Sequence, residues 1–314
     1  MSRFPVSDHC DGERFFNPHA VTGRSFVDVL KWMRTRERTA WPSTIPLPTR
    51  YDPPPTTVAP GRVAITFIGH STFLVRTASL AFITDPVFTT HAGPFGRLGP
   101  SRVRPPAIPP ASLPPVDLVL VSHNHYDHLQ PTSLRRFANR ASFATTLGLA
   151  GKVPNAQELD WWQSVNVKGA EITCVPAQHF SARTPWDRNR TLWCGFVVSV
   201  DGVTIYFAGD TGYTPQFVEI GPRCGPIDVA LLPIGAYEPR WFMQPMHMNP
   251  EDAVRAHLDI SPRLSVGMHF GTFQLTDEGI DEPLRALERA RAAAGVATQA
   301  FRVLDVGETL IAGA

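Results

Sequence analysis

The chain has 314 residues, 43% hydrophobic and 18% charged, with a formal net charge of +1. That is the balance of a globular protein with ample core material; it excludes a disordered chain, and near-neutral charge argues against nucleic acid as a partner. Cys10, Cys174, Cys194 and Cys224 stand singly without CxxC spacing, and neither a signal-like h-region nor a run of transmembrane length occurs, so we expect a soluble or peripheral protein of a reducing compartment, cytoplasmic or on the inner membrane face.

Residues 1–25 are mixed and polar and carry no evident chemistry. Phe26, Val29, Leu30 and Met33 then follow the i, i+3, i+4, i+7 spacing of a helix, with Lys31, Arg34, Arg36 and Arg38 adding positive charge and Trp41-Pro42 ending it. The pattern suits a helix packed on the domain with its basic side in water, which we prefer. It also suits an interfacial helix touching anionic lipid, a peripheral membrane contact. Seven prolines between residues 42 and 60 predict an extended strap, and Pro100 to Pro115 predicts a second. The chain thus divides into 1–60, a helix and strap packed on the core, and 61–314, the main domain.

The domain opens with strands over Val63 to Ile68, Thr72 to Arg76 and Ala81 to Thr84, the last ending at Asp85. His70, in the turn after the first, reads as a structural or cleft-rim residue. Val116 to Val121 predicts a buried strand that stops at Ser122, and four potential ligands follow at once: His123, His125, Asp127 and His128. Three histidines and an aspartate this close together after a buried strand are hard to explain as packing. Imidazole and carboxylate together suit zinc, or less readily iron or manganese.

A short helix is expected from Pro131 to Asn139 and a strand at Phe143 to Thr145, with Trp161 and Trp162 buried. Glu171 to Gln178 leads as a strand to His179. Thr191 to Val200 and Val203 to Gly209 pair across the hairpin signal Asp201-Gly202, and the return strand ends at Asp210. A carboxylate there can bridge two metals. Ile227 to Ile234 is a strand; Asn249 caps a helix with Pro250 first, and His257 on that helix reads as structural. Leu264 to Met268 is a strand ending at His269. Asp281 to Ala294 is an amphipathic helix carrying Leu284 and Leu287, and Phe301 to Ile311 closes the chain with strand character around Gly307-Glu308. Strand after strand stops at a His or Asp, so these ends can converge on one edge of a sandwich of two sheets with helices outside.

His123-Asn124-His125-Tyr126-Asp127-His128 resembles the signature of the metallo-β-lactamase superfamily, whose αββα sandwich matches that ordering. Together with Ile65 to Val75, Pro233 to Phe242 and Met268 to Phe273, it is similar to the N-acylphosphatidylethanolamine-hydrolysing phospholipase D family from about Asp11-Gly12 onward. The resemblance implies a hydrolase domain at 61–314 with two zinc ions. His123, His125 and His179 would bind one, Asp127, His128 and His269 the other, and Asp210 would bridge them. Asp85 would orient ligands. His247, Asp127 and Asp210 are the candidate catalytic residues, and the implied substrate is a phospholipid cleaved to phosphatidic acid and an N-acylethanolamine. Two other readings compete: a hydrolase of this fold acting on a lactone or another phosphodiester, and a metal-bound interaction module without turnover. The oligomeric state is not legible.

Overall fold

The computed structural model describes residues 2–47 and 52–313, so Pro48 to Tyr51 of the first strap lie outside the described residues. Among the described residues the strands form two seven-stranded mixed sheets. The first runs, in spatial order, β14 (Thr309–Gly313), β1 (Arg62–Gly69), β2 (Thr72–Arg76), β3 (Ala81–Thr84), β4 (Leu118–Val121), β5 (Ser142–Thr146) and β6 (Ala156–Leu159). The second runs β13 (Phe301–Arg302), β12 (Leu264–Met268), β11 (Val229–Pro233), β10 (Val203–Phe207), β9 (Gly195–Val200), β8 (Ala170–Val175) and β7 (Ser164–Val167).

Strand β4 shows why its sequence is apolar without a break. Leu118 and Leu120 join Phe67, Phe73 and Phe82 in the core between the sheets. Val119 and Val121 point the other way, into a second core with Ile83, Leu134, Phe137 and Phe143. Both faces of the strand are covered, so neither can be polar. Helix α2 (Pro131–Leu134) and the turns after it cover that outer face. On the far side, beyond the single turn α4 (Arg240–Met243), α5 (Pro250–Ile260) packs over β11 with α3 (Phe217–Cys224) and α6 (Glu282–Ala294) against it. Asn249 caps α5, accepting from the Asp252 amide while the Asp252 side chain accepts from the Asn249 amide. The layers are helix, sheet, sheet, helix, as expected of an αββα metallo-β-lactamase sandwich.

Several expectations need correction. Helix α1 (Phe26–Thr35) ends well before Trp41, because Arg36 leaves the helical conformation to pair with Asp277 at 2.8 Å and Trp41 donates to the Glu278 carbonyl. Of its apolar residues only Val29 and Trp32 are half-buried. Phe26, Val27, Leu30 and Met33 are exposed, and the helix is held by Trp32, which stacks on Phe242 and donates to Asp277. Helix α2 is a single turn, and the chain reaches β5 through further turns. Leu284 is exposed whereas Leu287 is buried. Trp161 is buried, but Trp162 is only half-buried, with one face against the core and the Arg223 guanidinium over its ring. The second strap contains a 3-10 turn at Pro110–Ser112. Strands β6 and β7 were not expected from the sequence. Both are four-residue edge strands in which only Leu159 and Val167 are buried, which leaves no apolar run to read.

Candidate metal centre

Sheet direction brings the site together. β1 and β2 are antiparallel, as are β2 and β3, while β3, β4 and β5 are parallel. The C-terminal ends of β1, β3 and β4 therefore share one edge of the first sheet. In the second, β8, β9 and β10 alternate and β10, β11 and β12 are parallel, so β8, β10 and β12 also end together. Just beyond those six ends stand His70, Asp85, His123, His179, Asp210 and His269.

The backbone turns sharply to aim them. His70, Asp85 and His269 hold φ of 60°, 32° and 62°, a left-handed conformation that costs a non-glycine residue on the order of 1–3 kcal/mol. Gly209 does the same before Asp210, at 61°. A Cβ there would lie 2.6 Å from the Cys194 carbonyl oxygen and 2.9 Å from Ser122 Cβ, so only glycine fits between these strand ends.

Two ligand groups result. In one, His123 Nε2 lies 2.9 Å from His125 Nδ1, which lies 3.1 Å from His179 Nε2. Tetrahedral zinc with bonds of about 2.0–2.1 Å separates its ligands by about 3.3 Å, so the three nitrogens fit such an ion. In the other, Asp127 Oδ2 lies 3.0 Å from His70 Nε2, 3.3 Å from His269 Nε2 and 3.5 Å from His128 Nε2. Asp210 Oδ2 sits between the groups, 3.1 Å from both His128 Nε2 and His269 Nε2 and 3.8–3.9 Å from His179 Nε2 and His123 Nε2. His70 is thus no cleft-rim residue. It is buried inside the second group, and its carbonyl accepts from the His269 amide at 2.9 Å.

Outer contacts fix which nitrogen of each ring faces inward. His179 Nδ1 donates to the Met246 carbonyl at 2.8 Å, leaving Nε2 for the centre. Ser122 donates to Asp85 at 2.5 Å, so its oxygen is free to accept from His123 Nδ1 at 2.9 Å. Asp85, fully buried, accepts from the Ser122 amide and from His128 Nδ1. Such contacts set tautomer and ring direction.

The charges divide in the same way. Burial holds His125 down to about 4 and His179 to about 3, and drives His123 well below its ordinary value, so all three are neutral, the form a ligand needs. Burial also opposes charge on Asp127 and Asp210, but the neighbouring His128 and His269 prevail and hold both carboxyls well below the usual range. Reciprocally, and against burial, Asp210 and Asp127 raise His128 well above its ordinary value and His269 to about 9. Two buried anions thus demand two positive charges, which protons supply here and metal cations can replace. Asp210 Oδ1 is buried without any partner, a costly arrangement unless a cation lies beside it. The nitrogen and oxygen donor set suits zinc.

His247 lies at the mouth. Its ring centroid is 5.0 Å from that of His179 and 5.6 Å from that of His269, and its buried Nδ1 has no partner. Arg240 holds it, donating to the His247 carbonyl at 2.9 Å and pairing with Asp252 at 2.6 Å. Burial, partly offset by Asp210, pushes the ring down to about 3. His125 and His247 remain partly exposed while His123, His128, His179 and His269 are buried, so the cleft opens on their side. His257 is elsewhere, on α5, bonded to Ser265. Sequence reasoning passed over Asn17, whose side chain bonds both backbone groups of His179. It also undervalued His70, although His70 follows a strand end as His123 and His269 do.

Residues 81–270 match the family model described as the β-lactamase superfamily domain. The Mycobacterium tuberculosis protein Rv0906 is 41% identical over 238 residues, covering 72% of this chain and 63% of that protein, so the chain spans less than two thirds of its length. N-acyl-phosphatidylethanolamine-hydrolyzing phospholipase D 1 of Caenorhabditis elegans is 38% identical over 263 residues, covering 77% of this chain and 74% of that one. Among solved structures, Igni18, a metallo hydrolase from Ignicoccus hospitalis, superposes with a TM-score of 0.59 at 25% identity, covering 80% of this chain and 98% of its own.

Proposed function

The chain belongs to the β-lactamase superfamily of metal-dependent hydrolases, and from that premise we propose that it is a zinc phosphodiesterase of phospholipase D type. The proposed reaction cleaves N-acylphosphatidylethanolamine-like lipids to phosphatidic acid and an N-acylethanolamine. The observation that carries this reading is the pair of ligand groups sharing Asp210, together with 38% identity to the C. elegans enzyme. Adjacent cation sites suit a phosphodiester, which presents two anionic oxygens.

His123, His125 and His179 would hold one ion and Asp127, His128 and His269 the other, with Asp210 common to both. Bound zinc would supply Lewis acidity for the phosphoryl oxygens and acidify water. Asp85, Ser122, Met246 and His70 keep the ligand atoms aimed. Water attacks phosphorus and sheds a proton to solvent, the bond from phosphorus to the ethanolamide oxygen breaks, and the leaving oxygen takes a proton. We assign delivery of that proton to His247. The ring is neutral in the free protein, so in this assignment it takes up a proton from solvent when the phosphodiester anion lies beside it and passes that proton to the leaving oxygen.

The lipid part of the reading draws support from α1. Phe26, Val27, Leu30 and Met33 are 75%, 71%, 42% and 62% exposed, Lys31 and Arg34 share that surface, and Trp241 beside them is 41% exposed under the Lys31 ammonium. An exposed apolar stripe with basic residues suits an anionic bilayer. The test is turnover of an N-acylphosphatidylethanolamine by zinc-loaded protein in ¹⁸O water. Label is expected in the phosphatidic acid. Label in the alcohol, or turnover only of a lactone, would replace this reading.

A further inference from the structure

We propose that Asn17, outside the family-matched residues 81–270, is a positioning residue for the metal centre: its side-chain amide grips the backbone of His179 and so sets where that imidazole points. The inference rests on the metal-centre reading above and adds a part to it.

His179 needs such a partner. Strand β8 ends at Val175, so His179 has left the sheet, and its N–H and C=O have no strand beside them. Asn17 takes the place of a strand. Its Nδ2 donates to the His179 carbonyl at 2.8 Å, and its Oδ1 accepts from the His179 amide at 3.1 Å. The orientation of the amide is not arbitrary. Trp193 Nε1 also donates to Oδ1, at 3.1 Å, and two donors converging on one atom require that atom to be oxygen. Nδ2 spends its other hydrogen on Thr22 Oγ1 at 2.9 Å, and Thr22, buried, donates to the same His179 carbonyl at 3.2 Å. With the Nδ1 bond to Met246, both the backbone and the far side of the ring are then held, and Nε2 keeps one direction.

The segment carrying Asn17 is anchored on both sides. Phe15 and Cys10 are buried in the core between the sheets, and the Phe15 amide donates to the Asn189 carbonyl at 2.8 Å. His9 stacks on Trp161 and pairs with Asp160 at 2.8 Å, and Arg188 donates to the Thr22 carbonyl at 3.1 Å. A clamp built on a loose arm could not fix a ligand; this arm is part of the core.

The test compares wild type, Asn17→Ala, Asn17→Asp and Thr22→Val, with the exposed Glu13→Gln as control. Zinc affinity is measured against a competing chelator, and exchange of the His179 amide is followed in metal-free protein. Asn17→Ala should weaken one of the two ions by about 10–100-fold, the scale for lost partners of a ligand, while the other binds as before. Asn17→Asp keeps the acceptor but sets a carboxylate oxygen against the His179 carbonyl, so it should do no better. Thr22→Val should fall between, Glu13→Gln should match wild type, and His179 amide exchange should speed up in Asn17→Ala. Unchanged zinc affinity and exchange in both Asn17 variants would overturn the proposal. So would equal weakening of both ions, the mark of general destabilisation. If wild-type protein takes up no zinc, the metal-centre reading fails by itself, and the exchange measurement still decides whether Asn17 holds His179.

Discussion

Asp85 Oδ2 lies 2.6 Å from His128 Nδ1, and both side chains are fully buried. The contact is a charge-assisted hydrogen bond that leaves His128 Nε2 facing Asp210 and Asp127. Asp85 also receives the Ser122 amide, so one carboxylate joins the end of β3 to the start of the ligand loop. An amide at this position could still accept from His128, but only by turning its NH₂ toward the Ser122 amide, where two donors would meet. Asp85→Asn should therefore weaken the ion held by Asp127, His128 and His269 by about 10–100-fold while the protein stays folded. Chelator competition measures this. Wild-type affinity in the variant would reduce Asp85 to a packing role.

The raised histidines make a pH prediction. His128 and His269 are protonated in the metal-free protein because Asp210 and Asp127 outweigh burial, with His269 at about 9. A folded-state value above the unfolded one, about 6.5, stabilises fully below the unfolded value and stops doing so as pH rises through the folded one. The metal-free protein should thus lose melting temperature between about pH 6.5 and 9. The zinc-loaded protein should not lose it there, since the cations and not protons then face the carboxylates. Loading at pH 7 should release about two protons, read by calorimetry in buffers of different ionisation enthalpy. Superimposable pH–melting curves with and without zinc would contradict this account.

His247 is separable from the ligands. Substitution to Gln should leave metal content unchanged and reduce turnover by roughly 10²–10⁴-fold if the ring delivers the proton. The loss should shrink on a nitrophenyl phosphodiester, whose leaving group needs no proton. An equal loss on both substrates would assign His247 to substrate positioning instead.

Membrane docking can be tested without disturbing the fold, because the two sides of α1 have different tasks. Trp32 and Arg36 attach the helix to Phe242 and Asp277, so they are left intact. Phe26→Ser, Leu30→Ser and Met33→Ser together should weaken binding to anionic vesicles by at least about tenfold, since burying one such side chain fully is worth about 1.5–3 kcal/mol. Lys31→Gln with Arg34→Gln should weaken binding mainly at low salt. Co-sedimentation unchanged in both variants would remove α1 from any lipid contact.

Strand cores were legible where both faces are buried, as at Thr72 to Arg76, Ala81 to Thr84 and Leu264 to Met268, whose limits match the structure. The edges were not, because β6 and β7 are four residues each, and the alternation Ser164-Val165-Asn166-Val167 is too short to stand out from a loop. The apolar stripe of α1 was read correctly as a helix, but the spacing does not say which way the stripe faces.

By itself the sequence determined which candidate ligands are present and that they follow strands. His123, His125, Asp127 and His128 stand out by residue type and spacing, His179, Asp210 and His269 each follow an apolar strand, and the family resemblance implies that the seven form one ligand set. Only the tertiary structure decided what lies behind them. Asn17 is 162 positions from His179, His70 is 57 from Asp127, and Met246 is 67 from His179. No local periodicity links such pairs. They meet because two sheets ending at one edge bring distant backbone together, and the direction of each inward-facing nitrogen is set there.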